Sequence, residues 1–203
     1  MNDIDRWNER FDTATYVFGQ APNRFLVEQA DRLEPGSKVL AVADGEGRNG
    51  VWLAGMGHHV VSVDASHTGQ AKARALAARR GASIELVAAD LLDWDWPNGA
   101  YDAVIAIFIQ FAGPSGRAAM LAGMMRATRP GGVILLQGYR PEQLAYGTGG
   151  PPVAENMYTE LMLRQAFAGW EIERLVIHDS VIEEGSGHSG MSALIDLVAR
   201  KPE

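Results

Sequence analysis

A doubly wound α/β fold is what this sequence predicts, with a seven-stranded sheet that is mostly parallel and closes on an antiparallel C-terminal hairpin strand. Three observations carry it. Short apolar runs alternate with helix-period segments, the pattern of parallel strands covered on both faces. A glycine-rich turn directly follows the first apolar run. The last two strand-like segments are joined by Glu183-Glu184-Gly185-Ser186-Gly187-His188-Ser189-Gly190, which leaves no room for a crossover helix and so predicts antiparallel pairing.

The elements follow in order. Residues 23–33 read as a helix, with Leu26, Ala30 and Leu33 on one stripe and Pro35-Gly36 as its stop. Residues 39–43 are the first strand, and a short helix runs from the glycine turn through Leu53. Residues 59–64 are the second strand. Ser66 is placed to N-cap a helix reaching Arg80, with Gly81 just past its end. Residues 84–88 and 101–107 are the third and fourth strands. Residues 115–128 are helical, with Leu121, Met124 and Met125 inward, until Pro130-Gly131-Gly132 breaks the pattern. Residues 133–137 form the fifth strand, a Gly/Pro-rich loop spans 146–152, and a helix covers about 159–167. Residues 170–182 and 191–200 are the final pair.

Composition sets the boundaries. The chain has 203 residues, enough for one domain with a sizeable core. Its net charge of −7 argues against a nucleic-acid partner, which needs clustered positive charge. The absence of cysteine excludes disulfides, a thiolate nucleophile and Cys-based zinc sites. The five histidines show no metal-binding spacing, so no metal is expected. The polar start MNDIDRWNER lacks the apolar core of a signal peptide, and no uncharged stretch is long enough to span a bilayer. A cytoplasmic, soluble protein is expected, of undetermined oligomeric state.

The chemistry is concentrated after the strands. In Asp44-Gly45-Glu46-Gly47-Arg48-Asn49-Gly50, the glycines satisfy G-x-G-x-x-G. Such a turn lets backbone approach a ligand and presents a helix N-terminus, although a tight strand–helix turn uses the same residues. Asp64 follows about 20 residues later, where a carboxylate is expected to accept from a ribose diol; its alternative is a turn residue before Ser66. Together they indicate an adenosine-containing cofactor and leave dinucleotide and S-adenosylmethionine (SAM) both open. Asp90, after the third strand, is placed to take an adenine amino group or to cap its loop.

With Asp90-Leu91, the stretch Thr128-Arg129-Pro130-Gly131-Gly132 and the terminal hairpin added, the chain resembles the class I SAM-dependent methyltransferases from about Lys38 to Pro202. Trp7-Asn8-Glu9-Arg10-Phe11, Tyr16-Val17-Phe18-Gly19 and Pro22-Asn23-Arg24-Phe25-Leu26 narrow the resemblance to the tellurite-resistance and thiopurine methyltransferase-like group. The resemblance implies a Rossmann-like single domain, an N-terminal helical lid at 1–35 over a cofactor-binding core at 36–203. It implies SAM as cofactor and S-adenosylhomocysteine as product. The implied cofactor site comprises Asp44, Gly45, Glu46, Gly47, Asn49, Asp64, Ala65, Ser66, Asp90, Leu91 and Ile107. From the lid come Trp7, Tyr16, Gly19 and the candidate Phe18, whose aromatics alternatively just dock the arm. The chain departs from the family's first motif at Ala41, where an acid is usual, and at Ala43, where the first glycine is usual.

The implied reaction is methyl transfer to a small-molecule acceptor, with sulfur, selenium or tellurium species as the soft acceptors the resemblance points to. A non-catalytic SAM-binding module and an NAD(P)-dependent oxidoreductase are the alternatives. Phe108-Ile109-Gln110-Phe111, after the fourth strand, is expected at the reacting methyl group. Gln110, Tyr139 and His188 are the candidate substrate-positioning residues, with His188 otherwise a solvated turn residue and Arg140 a surface arginine. Asp93-Trp94-Asp95-Trp96 reads as two packed tryptophans between solvated acids, or as an adenine platform.

Overall fold

The computed structural model describes residues 3–203, so Met1 and Asn2 of the expected lid lie outside the described residues. The seven strands are β1 (Lys38–Val42), β2 (His59–Asp64), β3 (Glu85–Ala88), β4 (Tyr101–Ile107), β5 (Thr128–Tyr139), β6 (Glu171–Glu184) and β7 (His188–Arg200). They form one sheet in the order β3-β2-β1-β4-β5-β7-β6. Strands β1 to β5 pair in parallel, and β7 is antiparallel to both β5 and β6. The α/β class and the antiparallel terminal hairpin are therefore as the sequence predicts. The strand order reverses between β1 and β4, and such a switch point opens a crevice beyond the carboxyl ends of those strands.

The helices are α1 (Asp3–Phe11), α2 (Arg24–Gln29), α3 (Arg48–Gly55), α4 (His67–Arg80), α5 (Pro114–Ala127), α6 (Gln143–Tyr146) and α7 (Glu160–Ala166). Alternation along the strands splits the core in two. Leu40 and Val42 face a cluster containing Met120, Leu121 and Met124 of α5 and Leu163 of α7. Val39 and Ala41 face Phe25 and Leu26 of α2 and Leu53 of α3. Helix α4 is bounded as its caps predict: Ser66 Oγ accepts from the Gly69 N–H, and Gly81 is left-handed at φ +62°. No helix among the described residues is long and apolar enough to cross a membrane.

Among the differences from expectation, two arise from strand pairing. Strand β5 begins at Thr128, which pairs with Tyr101 before the register shifts, so the Pro-Gly-Gly stretch bulges inside the strand. The last hairpin turns over residues 185–187 only, and β6 and β7 pair up to Glu184 and His188. His188 is thus a ladder residue, buried to 7% exposure, and the solvated-turn reading of it fails.

The N-terminal segment is fastened to the strand-end loops at successive points. Asn8 Oδ1 accepts from Ser66 Oγ at 2.8 Å. The Phe11 ring lies over Gly45 and Gly69, where a Cβ would sit 3.0 Å from it. The Phe18 N–H donates to Glu46 at 3.3 Å, and the Asn23 N–H to Asn49 at 2.9 Å. The Gly187 N–H donates to the Val17 carbonyl at 3.0 Å. This packing brings residues of α1 and of the 12–23 stretch to the mouth of the crevice.

Candidate active site

A cavity of about 550 Å3 occupies the crevice. Among the described residues the only non-glycine positions with positive φ are Ala43 (+47°) and Phe108 (+55°), and both line it. Left-handed backbone costs a side-chain-bearing residue about 1–2 kcal/mol, and such strain concentrates at functional sites. Ala43 shows why the related motif has glycine there: the turn needs that conformation even when the residue is alanine.

At one end of the cavity the Asp64 carboxylate closes β2. Oδ2 accepts from the Gly45 N–H at 2.8 Å and Oδ1 from the Ser66 N–H at 2.7 Å. Each carboxylate oxygen has a further lone pair, so the group is oriented by the chain and still able to accept from a ligand. Burial raises its pKa against those two hydrogen bonds. Asp90 lines the same end and spends Oδ1 on the Leu92 N–H at 3.0 Å. Ala65, Ser66, Leu91 and Ile107 complete this part of the wall. These are the acceptors and surfaces an adenosine moiety requires, and the residues fit the implied cofactor.

In the turn after β1, Asp44 folds back onto its own turn and the neighbouring strand. Its carboxylate accepts from the Gly50 N–H at 3.1 Å and from Ser62 Oγ at 3.0 Å, at the border of the cavity. Burial pushes it up to about 7, against the hydrogen bonds from Ser62 and Gly50. Gly45, Glu46 and Asn49 line the cavity, but Glu46 also pairs with Lys72 at 2.7 Å. Gly47 does not line it. A Cβ there would lie 2.6 Å from the Ala73 Cβ, and one on Gly50 would lie 2.4 Å from Asp44 Oδ2. These two glycines admit neighbouring parts of the chain, not a ligand.

The other end is aromatic. Phe18, Phe108 and Tyr139 surround the His188 ring at centroid distances of 4.5, 4.3 and 5.6 Å. His188 Nδ1 and the Tyr139 hydroxyl are buried without a hydrogen-bond partner. Burial raises the tyrosine pKa and lowers that of the histidine. Gln110 lines this end, yet its amide is spent on the backbone of Tyr139, donating to the carbonyl at 2.8 Å and accepting from the N–H at 2.6 Å. The Gly/Pro loop lies across Tyr139, with Gly150, Pro151 and Pro152 on the cavity wall.

Of the lid candidates, Trp7, Phe18 and Gly19 reach the cavity. Tyr16 does not: its hydroxyl donates to the Lys72 carbonyl at 3.0 Å, and Lys72 and Arg79 lie over its ring on α4. Trp96 packs on α5 at Gly123 and donates to the Leu91 carbonyl at 3.1 Å, so the tryptophan pair belongs to the core. Arg140 pairs with Asp179 and Glu142. Sequence reasoning missed Arg10, Phe11 and Arg48 on the wall, and Glu184 behind His188. Only Phe11 carries a local signal: with Ile4 and Trp7 it makes an i, i+3, i+7 apolar stripe along α1.

A family model described as a methyltransferase domain matches residues 39–132. A thiopurine S-methyltransferase of Pseudomonas putida is 31% identical, with 95% of each chain covered. Among solved structures, one described as converting a disulfide bond into a thioacetal group in echinomycin biosynthesis superposes with a TM-score of 0.77 at 22% identity, over 99% of this chain and 93% of that one. TehB from Haemophilus influenzae superposes with a TM-score of 0.71 at 19% identity, over 98% of this chain and 66% of that one. With a relative at this identity along nearly its whole length, the chain belongs to the class I SAM-dependent methyltransferases.

Proposed function

We propose that the enzyme methylates a small molecule at a soft heteroatom, sulfur foremost, with selenium and tellurium species as chemical congeners. The observation that carries this reading is the near-full-length relationship to a thiopurine S-methyltransferase. SAM supplies an already activated methyl group, so the chain's part is to hold, align and exclude water. In this reading Asp64 accepts from the ribose hydroxyls, Asp90 from the adenine amino group, and the 44–49 turn holds the methionine end. Residues 1–35 act as lid over a core of 36–203. The acceptor stacks among Phe18, Phe108 and Tyr139, while Gln110 positions Tyr139. The test is methyl transfer from SAM to a panel of thiols including thiopurines, selenite, tellurite, amines and carboxylates, read by mass spectrometry. Methylated sulfur or selenium products are expected; turnover confined to amines or carboxylates overturns the assignment.

Asp44 makes cofactor affinity depend on pH. A cationic ligand beside a carboxyl that titrates at about 7 favours its charged form. Affinity for SAM should therefore rise as pH increases from 6 to 8, by up to about tenfold per unit below 7. Binding at pH 6.5 should release a proton. Calorimetry in buffers of different ionisation enthalpy measures it; a buffer-independent enthalpy refutes the linkage.

A further inference from the structure

The buried Glu184 carboxylate is held from two sides. Arg48 Nη2 of α3 donates to Oε2 at 2.6 Å, and Asn23 Nδ2 donates to Oε1 at 2.9 Å. Opposite it on the ladder stands His188, whose Nδ1 lies 4.0 Å from Glu184 Oε2. Nδ1 is the sealed ring nitrogen, so the ring meets the cavity through its Nε2 edge. A carboxylate facing one imidazole nitrogen favours the proton on that nitrogen and leaves the lone pair on the other. The gap exceeds a hydrogen bond, as is common for catalytic contacts before the ligand binds.

We propose that Glu184 is a positioning residue that fixes His188 as the Nδ1–H tautomer, with Nε2 as proton acceptor for the methyl acceptor. This rests on the methyl-transfer reading above. The acceptor's proton passes to Nε2 as the bond from its heteroatom to the methyl carbon forms. The methyl–sulfonium bond breaks with its electron pair staying on sulfur, and the proton leaves Nε2 for solvent. The groups facing the ring are Glu184 on β6, Arg48 on α3, Arg10 on α1, Tyr139 on β5, and the uncharged Phe18 and Phe108. Burial, together with Arg48 and Arg10, keeps the imidazole neutral against the pull of Glu184, which suits a base. Of the other polar groups at this end, the Gln110 amide has no basic atom to offer, and burial raises the pKa of the Tyr139 hydroxyl and keeps it protonated.

Two measurements test it, one of them independent of any acceptor. Nitrogen-15 NMR of the S-adenosylhomocysteine complex should show His188 as the Nδ1–H tautomer, and Glu184→Gln should shift it towards a mixture. An Nε2–H tautomer in the unaltered protein overturns the proposal, whatever the acceptor proves to be. The second is the dependence of kcat on acidity across a series of substituted alkanethiols, which stay largely protonated at pH 7. It should be shallow in the unaltered enzyme. His188→Gln should steepen it, with at least a 100-fold loss for the least acidic thiols. A parallel drop across the series assigns His188 a packing role only and overturns the proposal. If the NMR result holds but no thiol turns over, the sulfur reading fails and the tautomer assignment stands.

Discussion

Asp64→Ala is expected to weaken binding of S-adenosylhomocysteine by about two to four orders of magnitude. The arithmetic rests on two charge-assisted hydrogen bonds from a ribose diol, each worth about 1.5–3 kcal/mol. The structure adds a second route to the loss. The same carboxylate accepts the Gly45 and Ser66 N–H groups, so its removal frees the turn that carries the 44–49 site and the entry to α4. Asp64→Asn keeps one carbonyl oxygen and should recover part of the affinity. Titration calorimetry decides the matter: unchanged affinity in Asp64→Ala removes Asp64 from the ribose role.

The behaviour of Asp64 also shows what local sequence can and cannot disclose. A carboxylate at the end of a strand, about 20 residues after a glycine turn, is a short-range pattern, and so are the Ser66 and Gly81 caps; all are set by neighbours a few residues away. The glycine turn was equally legible, but not its physics. Gly47 is required by Ala73, a contact that exists only once α3 and α4 are packed, and Gly50 by Asp44, whose carboxylate folds back over the same turn. His188 is harder still. Its burial depends on Phe18 from the N-terminal stretch, Phe108 after β4 and Tyr139 at the end of β5, three parts of the chain that only the fold brings together. Glu184 reads as one more acid in a charged edge strand until Arg48 is placed against it. Tyr16 illustrates the converse: it sits in a recognisable stretch, yet the cations of α4 draw it to the outer face.

Arg48→Ala is the change with the largest expected effect on stability. Both partners of the Arg48–Glu184 pair are buried, with side-chain exposures of 8% and 11%. Removing one partner of such a pair costs about 3–5 kcal/mol, because the other charge stays buried without compensation. For a chain of this size that corresponds to a Tm lower by about 10 °C. The pH dependence gives the cause. Burial raises the pKa of Glu184, but the facing His188 and Arg48 bring it down to about 2. In the unaltered protein its contribution is therefore complete above the unfolded value of about 4.3 and is lost only as pH falls towards 2. Without Arg48 the carboxylate loses its cationic partner, and a cation that lowers the His188 pKa is gone too, so uptake of a proton on the Glu184–His188 pair is favoured as pH falls. The uncompensated carboxylate opposes folding at neutral pH, and protonation of the pair relieves that opposition. The Tm difference between the two proteins should accordingly narrow from pH 7 to pH 5, as measured by differential scanning calorimetry. A difference that stays constant over that range would mean that Arg48 stabilises by packing, through its aliphatic stem, and not by neutralising the buried acid. Arg48→Met, which keeps most of the stem, separates the two: it should behave like Arg48→Ala if charge governs, and like the unaltered protein if packing does.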